Sequence, residues 1–152
     1  MKKALGVLGL IVLGVLGYRT VHARGPEAQY KLFAEEILHR RYDLAAGMAD
    51  GLTANDLAAL GSQERIGAGP PMFQTLFPSR FAIESEDTAA DGAVTLRATQ
   101  TVLFNPQGVE SALRPAMFAT LKQVVTLRKG DGGWRVTAFA NRFENMDTLS
   151  GR

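Results

Sequence analysis

From Glu27 onward the apolar positions Tyr30, Phe33, Ala34, Ile37 and Leu38 recur at intervals of three and four. That spacing predicts a helix with one buried stripe, while Lys31, Glu35, Glu36, His39 and Arg40 take its other faces. Pro26 suits the first turn of this helix, and Arg40-Arg41 suits the negative pole at its end. Asp43 is placed to cap a short second helix through Leu44, Ala45 and Met48, stopped by Asp50-Gly51. A third helix opens at Thr53-Ala54-Asn55-Asp56, which has the spacing of a capping box, and buries Leu57 and Leu60. Gly67 to Pro71 then breaks the pattern, and Met72, Phe73, Leu76 and Phe77 form an apolar cluster closed by Pro78.

After Arg80 the period changes from 3.6 to 2. Phe81, Ile83 and Ser85 alternate with Ala82, Glu84 and Glu86, Asp91-Gly92 marks a hairpin turn, and Val94, Leu96, Ala98, Gln100, Val102 and Phe104 predict the inner face of a second strand. A long connection, Asn105 to Ala116, leads to a third strand with Ala119, Leu121, Gln123, Val125 and Leu127 inward. Gly130-Asp131-Gly132-Gly133 turns into a fourth, with Trp134, Val136, Ala138 and Ala140 inward. A two-residue loop at Asp131-Gly132 would set Leu127 opposite Val136, Val125 opposite Ala138 and Gln123 opposite Ala140. The expected fold class is α+β, with N-terminal helices packed in a curled antiparallel sheet of about four strands. An apolar signal or anchor helix precedes it.

That leading segment has its own logic. Met1-Lys2-Lys3 is followed by fifteen uncharged residues, Ala4 to Tyr18, which read as an export signal or a membrane anchor rather than part of the fold. Val21-His22-Ala23 fits cleavage after Ala23, which would free a periplasmic domain. Arg19, directly after the apolar run, favours retention of residues 4–18 as an anchor of about 22 Å, a length that snorkelling and bilayer thinning can accommodate. Lys2 and Lys3 predict the N-terminus in the cytoplasm and the domain on the non-cytoplasmic side of a bacterial inner membrane in either case. The expected organisation is therefore 1–23 signal or anchor, 24–26 linker, 27–146 domain and 147–152 tail.

Composition then removes whole classes of function. The chain has 152 residues and no cysteine, so disulfides, thiolate zinc sites and cysteine nucleophiles are excluded. With two histidines, His22 and His39, and no tight carboxylate cluster, no metal is expected. Three of the seventeen cations, Lys2, Lys3 and Arg19, belong to the leading segment; without it fourteen cations face fifteen acids. Such a balance offers no cationic surplus for phosphate neutralisation, so no nucleic-acid partner is expected. No Gly-x-Ser-x-Gly elbow, Ser-x-x-Lys pair or phosphate-cradling glycine loop is present.

The segment FAEEILHRRYDLAAGMADGLTANDLAAL together with the terminal hairpin VVTLRKGDGGWRVTAFANRFE resembles the nuclear-transport-factor-like, or cystatin-like cone, superfamily over roughly residues 27 to 145. The nearest flavour is similar to small exported or membrane-tethered bacterial domains. The superfamily also holds isomerases, dehydratases, cyclases and epoxide hydrolases, so the resemblance implies a fold and leaves activity open. An isomerase-like site needs a carboxylate base converging with an acidic donor. Tyr30 stands where such a donor could enter the cone, but no acid is placed opposite it; the Asp-Arg-Asp arrangement of an epoxide hydrolase is absent, since Arg97 and Arg142 are expected outward or near strand ends, and His39 lies off the apolar stripe. No catalytic residue and no cofactor are assigned.

Two polar residues interrupt the apolar faces, Gln100 and Gln123, and buried amides must be satisfied by each other, by backbone, by water or by a ligand. With Tyr30, Phe33, Ile37 and Phe73 they form the candidate pocket. The expected function is a non-enzymatic accessory module binding an envelope protein or an apolar, lipidic small molecule, with homo-oligomers compatible. The alternative is a small cofactor-independent isomerase or cyclase acting on an apolar ligand.

Overall fold

The computed structural model describes residues 25–62, 73–75, 78–106 and 117–148. The apolar run 4–18, the cleavage motif at Ala23 and the Gly67–Pro71 break lie outside the described residues, as does most of the Asn105–Ala116 connection. Among the described residues three helices precede the sheet: α1 (Pro26–Leu38), α2 (Tyr42–Gly47) and α3 (Ala54–Ser62). Five strands follow among the described residues: β1 (Phe73–Thr75), β2 (Arg80–Thr88), β3 (Val94–Pro106), β4 (Met117–Gly130) and β5 (Gly133–Thr148). All of their pairings are antiparallel. β2 and β1 share one edge of β3, and β4 and β5 follow on the other side, so the sheet is four strands wide in an α+β arrangement.

The predicted stripe of α1 is the side that packs on the sheet. Tyr30, Phe33, Ala34 and Ile37 are buried with Val94, Leu96, Ala98, Val125, Leu127, Val136 and Phe139, while Leu38 rests on a second cluster of Val102, Ala119 and Leu121. The helix ends in a Schellman motif: Arg41 N–H reaches the Glu36 carbonyl, Arg40 N–H reaches Ile37, and Arg40 takes the left-handed conformation at φ 58°. That ending moves the start of α2 forward. Its N-cap is Arg41, with no side-chain cap, and Asp43 lies in the first turn, where it complements the helix dipole instead of capping. Ala45 is buried and Leu44 exposed.

The exit of α2 is stitched to the outer strand. Ala49 forms a parallel bridge with Val136, Asp50 N–H donates to the Val136 carbonyl at 2.8 Å, and Val136 N–H donates to Met48 at 3.0 Å. Arg135 clamps the same turn through Asp50 Oδ1 and the Ala49 carbonyl. Part of the free edge of β5 is thereby covered.

The capping box at α3 forms as the sequence predicts. Asp56 N–H donates to Thr53 Oγ1 at 3.2 Å, and Asp56 Oδ2 accepts from Thr53 N–H at 2.9 Å and from its hydroxyl at 2.7 Å. The Thr53 side chain, then its backbone, holds the Asp56 carboxyl below the usual carboxylate range. A depressed folded-state pKa stabilises the fold above the unfolded value and loses that contribution as pH falls through the folded one. Thr53→Ala is therefore expected to raise the Asp56 titration midpoint toward the ordinary range and to lower the melting temperature at neutral pH. The melting difference should shrink once Asp56 is protonated, which NMR titration and melts at pH 7 and pH 2 would check.

The β4–β5 hairpin turns at Asp131-Gly132, with Gly130 paired to Gly133, and Leu127 does face Val136. One step further the register shifts, because Thr137 is the extra residue of a bulge. Val125 therefore faces Phe139 and Gln123 faces Asn141, not Ala138 and Ala140, both of which are exposed on the opposite face. A second bulge leaves Glu84 unpaired in β2 and sets Ser85 opposite Arg97, yet exposure alternates along the strand as expected, with Phe81, Ile83 and Ser85 half-buried between exposed Ala82, Glu84 and Glu86.

Candidate functional site

Gln100 and Gln123 project from adjacent strands onto the inner face, on diagonal rungs, since Gln123 is opposite Ala98 and Gln100 opposite Leu121. Both are buried, at 0% and 2% exposure, and so is Tyr30 at 0%. The three side chains satisfy one another. Tyr30 hydroxyl donates to Gln123 Oε1 at 2.5 Å, and Gln123 Nε2 donates to Gln100 Oε1 at 2.7 Å and to Asn141 Oδ1 at 3.1 Å. Gln100 Nε2 passes the chain to Ser79 Oγ at 2.9 Å, and Ser79 N–H donates to Glu35 Oε1 at 3.0 Å. Glu35 Oε2 lies 3.4 Å from His39 Nε2. The relay thus leaves α1 at Tyr30, crosses β4 and β3, and returns to α1 at Glu35.

Of the remaining candidates, Phe33 and Ile37 are in the apolar core around this relay, Phe33 in an edge-to-face contact with Phe139 at 5.1 Å. Phe73 is placed by its backbone opposite Pro106 at the end of β3; its side chain lies outside the described residues. Asn141 was not readable as a member because the Thr137 bulge is what turns it inward. Ser79 joins from the segment before β2 and carries no sequence signal of its own.

Chemically the interior is a neutral donor–acceptor chain. Burial pushes the Tyr30 phenol above its ordinary pKa, so it stays a protonated donor. Its oxygen meets an amide, and the carboxylate of the relay, Glu35, stands at the far end on Ser79 and His39. Among the described residues no group of three His, Asp or Glu could hold a metal ion.

The opposite face of the sheet carries a different feature, a depression of about 330 Å³ flanked by Arg97, Lys122, Arg142 and Glu84 with Val124 and Ala140 between them. Two consecutive rungs explain it. Arg97, Val124 and Ala140 lie across β3, β4 and β5 on one rung, and Thr99, Lys122 and Arg142 lie on the next. Two small apolar side chains therefore have Arg97 beside them on their own rung and Lys122 and Arg142 on the next. Glu84 accepts from Thr99 Oγ1 at 2.5 Å and from Lys122 Nζ, which also lies 2.8 Å from Thr99 Oγ1. The Lys122 contact, then Thr99, draws the Glu84 carboxyl below its usual range, and Glu84 in turn raises Lys122.

No protein-family model matches the chain, and no curated protein matches it. No helix among the described residues is long and apolar enough to cross a membrane.

Proposed function

We propose that the chain is a non-enzymatic envelope domain of the nuclear-transport-factor-like type, tethered to or exported across a bacterial inner membrane, which works by binding a partner on its outer surface. The observation that carries the non-catalytic part is the commitment of Tyr30. Its phenol, the interior group best suited to acid–base work, is fixed on the Gln123 amide in a core closed to solvent. An isomerase-like reaction asks for a carboxylate facing the donor across a space for substrate. Here the space is taken by two amides, joined by one hydrogen bond and otherwise satisfied by Tyr30, Asn141 and Ser79. The placement in the envelope is supported by Lys2, Lys3 and the apolar run 4–18.

A reporter active only in the periplasm, fused after Arg152, is expected to be active. Mass spectrometry of the expressed full chain is expected to show either intact Met1 or an N-terminus at Arg24. A cytoplasmic protein retaining Met1 would overturn the location.

A further inference from the structure

The geometry points to the outer depression between Arg97 and Arg142 as a binding site for a phosphate-bearing amphiphile, the anion held by the two guanidinium groups and a short apolar part lying on Val124 and Ala140. This rests on the reading that the domain works by binding on its outer surface, and it names the ligand class.

Three observations carry it. Lys122 and Arg142 are directly opposite each other on β4 and β5. Like charges so placed destabilise a sheet, and Arg97 adds a third cation one rung away. A domain whose fourteen cations and fifteen acids nearly balance has gathered three of those cations around one concavity. Of the two carboxylates that act on Lys122, Glu84 lines the site and is bound to Lys122 and Thr99, while Glu144 acts on Lys122 through charge alone. Among the described residues Arg97 and Arg142 have no ion pair and no hydrogen bond to a side chain, so their planar donors are available to an oxyanion. Finally, the floor between them is apolar, and a cavity of about 330 Å³ lies at the small end of the range for ligand pockets. A bare anion would leave Val124 and Ala140 uncovered; a phosphate with a short hydrocarbon would cover them.

Calorimetric titration of the full chain in neutral detergent with butyl phosphate tests this, with inorganic phosphate and butanol as the comparison ligands. Butyl phosphate is expected to bind saturably, inorganic phosphate several-fold more weakly and butanol not at all, with affinity falling as salt is raised. Arg97→Gln and Arg142→Gln should each weaken butyl phosphate about tenfold, the size of one lost charge-assisted hydrogen bond. Arg128→Gln, which removes a cation paired with Asp91 at the hairpin end, should not. Arg142→Gln also relieves the repulsion of Lys122, so its melting temperature should stay level or rise while affinity falls. A structural role for Arg142 would lower both.

The source of the phosphate is read in bilayer discs. A rise in melting temperature on adding phosphatidylglycerol to phosphatidylcholine, absent in the Arg97→Gln/Arg142→Gln protein, identifies a lipid headgroup. Binding of butyl phosphate without that rise identifies a soluble ligand. Absence of saturable butyl phosphate binding, or equal binding by the double variant, would overturn the proposal. Either result leaves the periplasmic reporter unaffected, so this proposal and the envelope location fail separately.

Discussion

Gln123→Leu is expected to cost about 3 kcal/mol or more of folding stability, although leucine is similar in volume and apolar. Gln123 satisfies Tyr30 and Gln100 and meets Asn141. Its loss strands a phenol donor and an amide oxygen in a closed interior, at roughly 1 to 3 kcal/mol for each buried group left without a partner. Removing the partners together should recover much of this. The triple variant Tyr30→Phe/Gln100→Leu/Gln123→Leu leaves only Ser79 and Asn141, both half-buried and able to turn toward water. It is expected to be more stable than Gln123→Leu alone, as relays whose members depend on one another are strongly non-additive. Since the Tyr30 phenol is held protonated and the two amides do not titrate, the loss in Gln123→Leu should be the same at pH 5 and pH 9. Denaturant unfolding of the three single variants and the triple decides the matter. Strict additivity, or single losses within about 0.5 kcal/mol, would mean that the relay is not a cooperative unit.

The amides were legible in the sequence because they violate a pattern. Gln100 and Gln123 interrupt faces that are otherwise Val, Leu and Ala, and a period of two leaves no doubt which face they share. The stripe of α1, the capping box at Thr53 and the turn at Asp131-Gly132 are legible for a different reason, since each is set by residues a few positions apart. What was not legible depends on register across strands. The extra residue at Thr137 belongs to the pairing of β5 with β4, and alternation counted along β5 alone cannot report it. It turned Ala138 and Ala140 outward and brought Phe139 and Asn141 in. The same limit applies to the outer depression. Alternation leaves Arg97 and Arg142 outward or near strand ends, and their convergence with Lys122 needs the registers of two strand pairs, β3–β4 and β4–β5, known at once.

The bulge also supplies the aromatic partner of Phe33 on α1, and Phe33→Ala is expected to lose about 3 to 5 kcal/mol. Phe33 is fully buried, and its ring meets Phe139 edge to face at 5.1 Å and 75°. Most of the loss comes from transfer and the cavity left behind, with about 1 kcal/mol from the aromatic pair itself. Phe139→Ala should cost somewhat less, because Phe139 is 7% exposed, and the double variant should fall short of the sum by about that pair energy. Against a total stability of roughly 5 to 15 kcal/mol, such a loss brings the protein near its unfolding threshold. A second effect follows from chain order. Tyr30 sits one turn before Phe33 on α1, so a helix that loosens at Phe33 also slackens the hydrogen bond that orients Gln123. The Gln123 side-chain amide protons, protected while the core is closed, should exchange markedly faster in Phe33→Ala than in Ile37→Val, a mild truncation one turn further along the same buried stripe. If exchange at Gln123 were unchanged while stability fell, the apolar core and the amide relay would be independent, and the docking of α1 would rest on Phe33 without involving Tyr30.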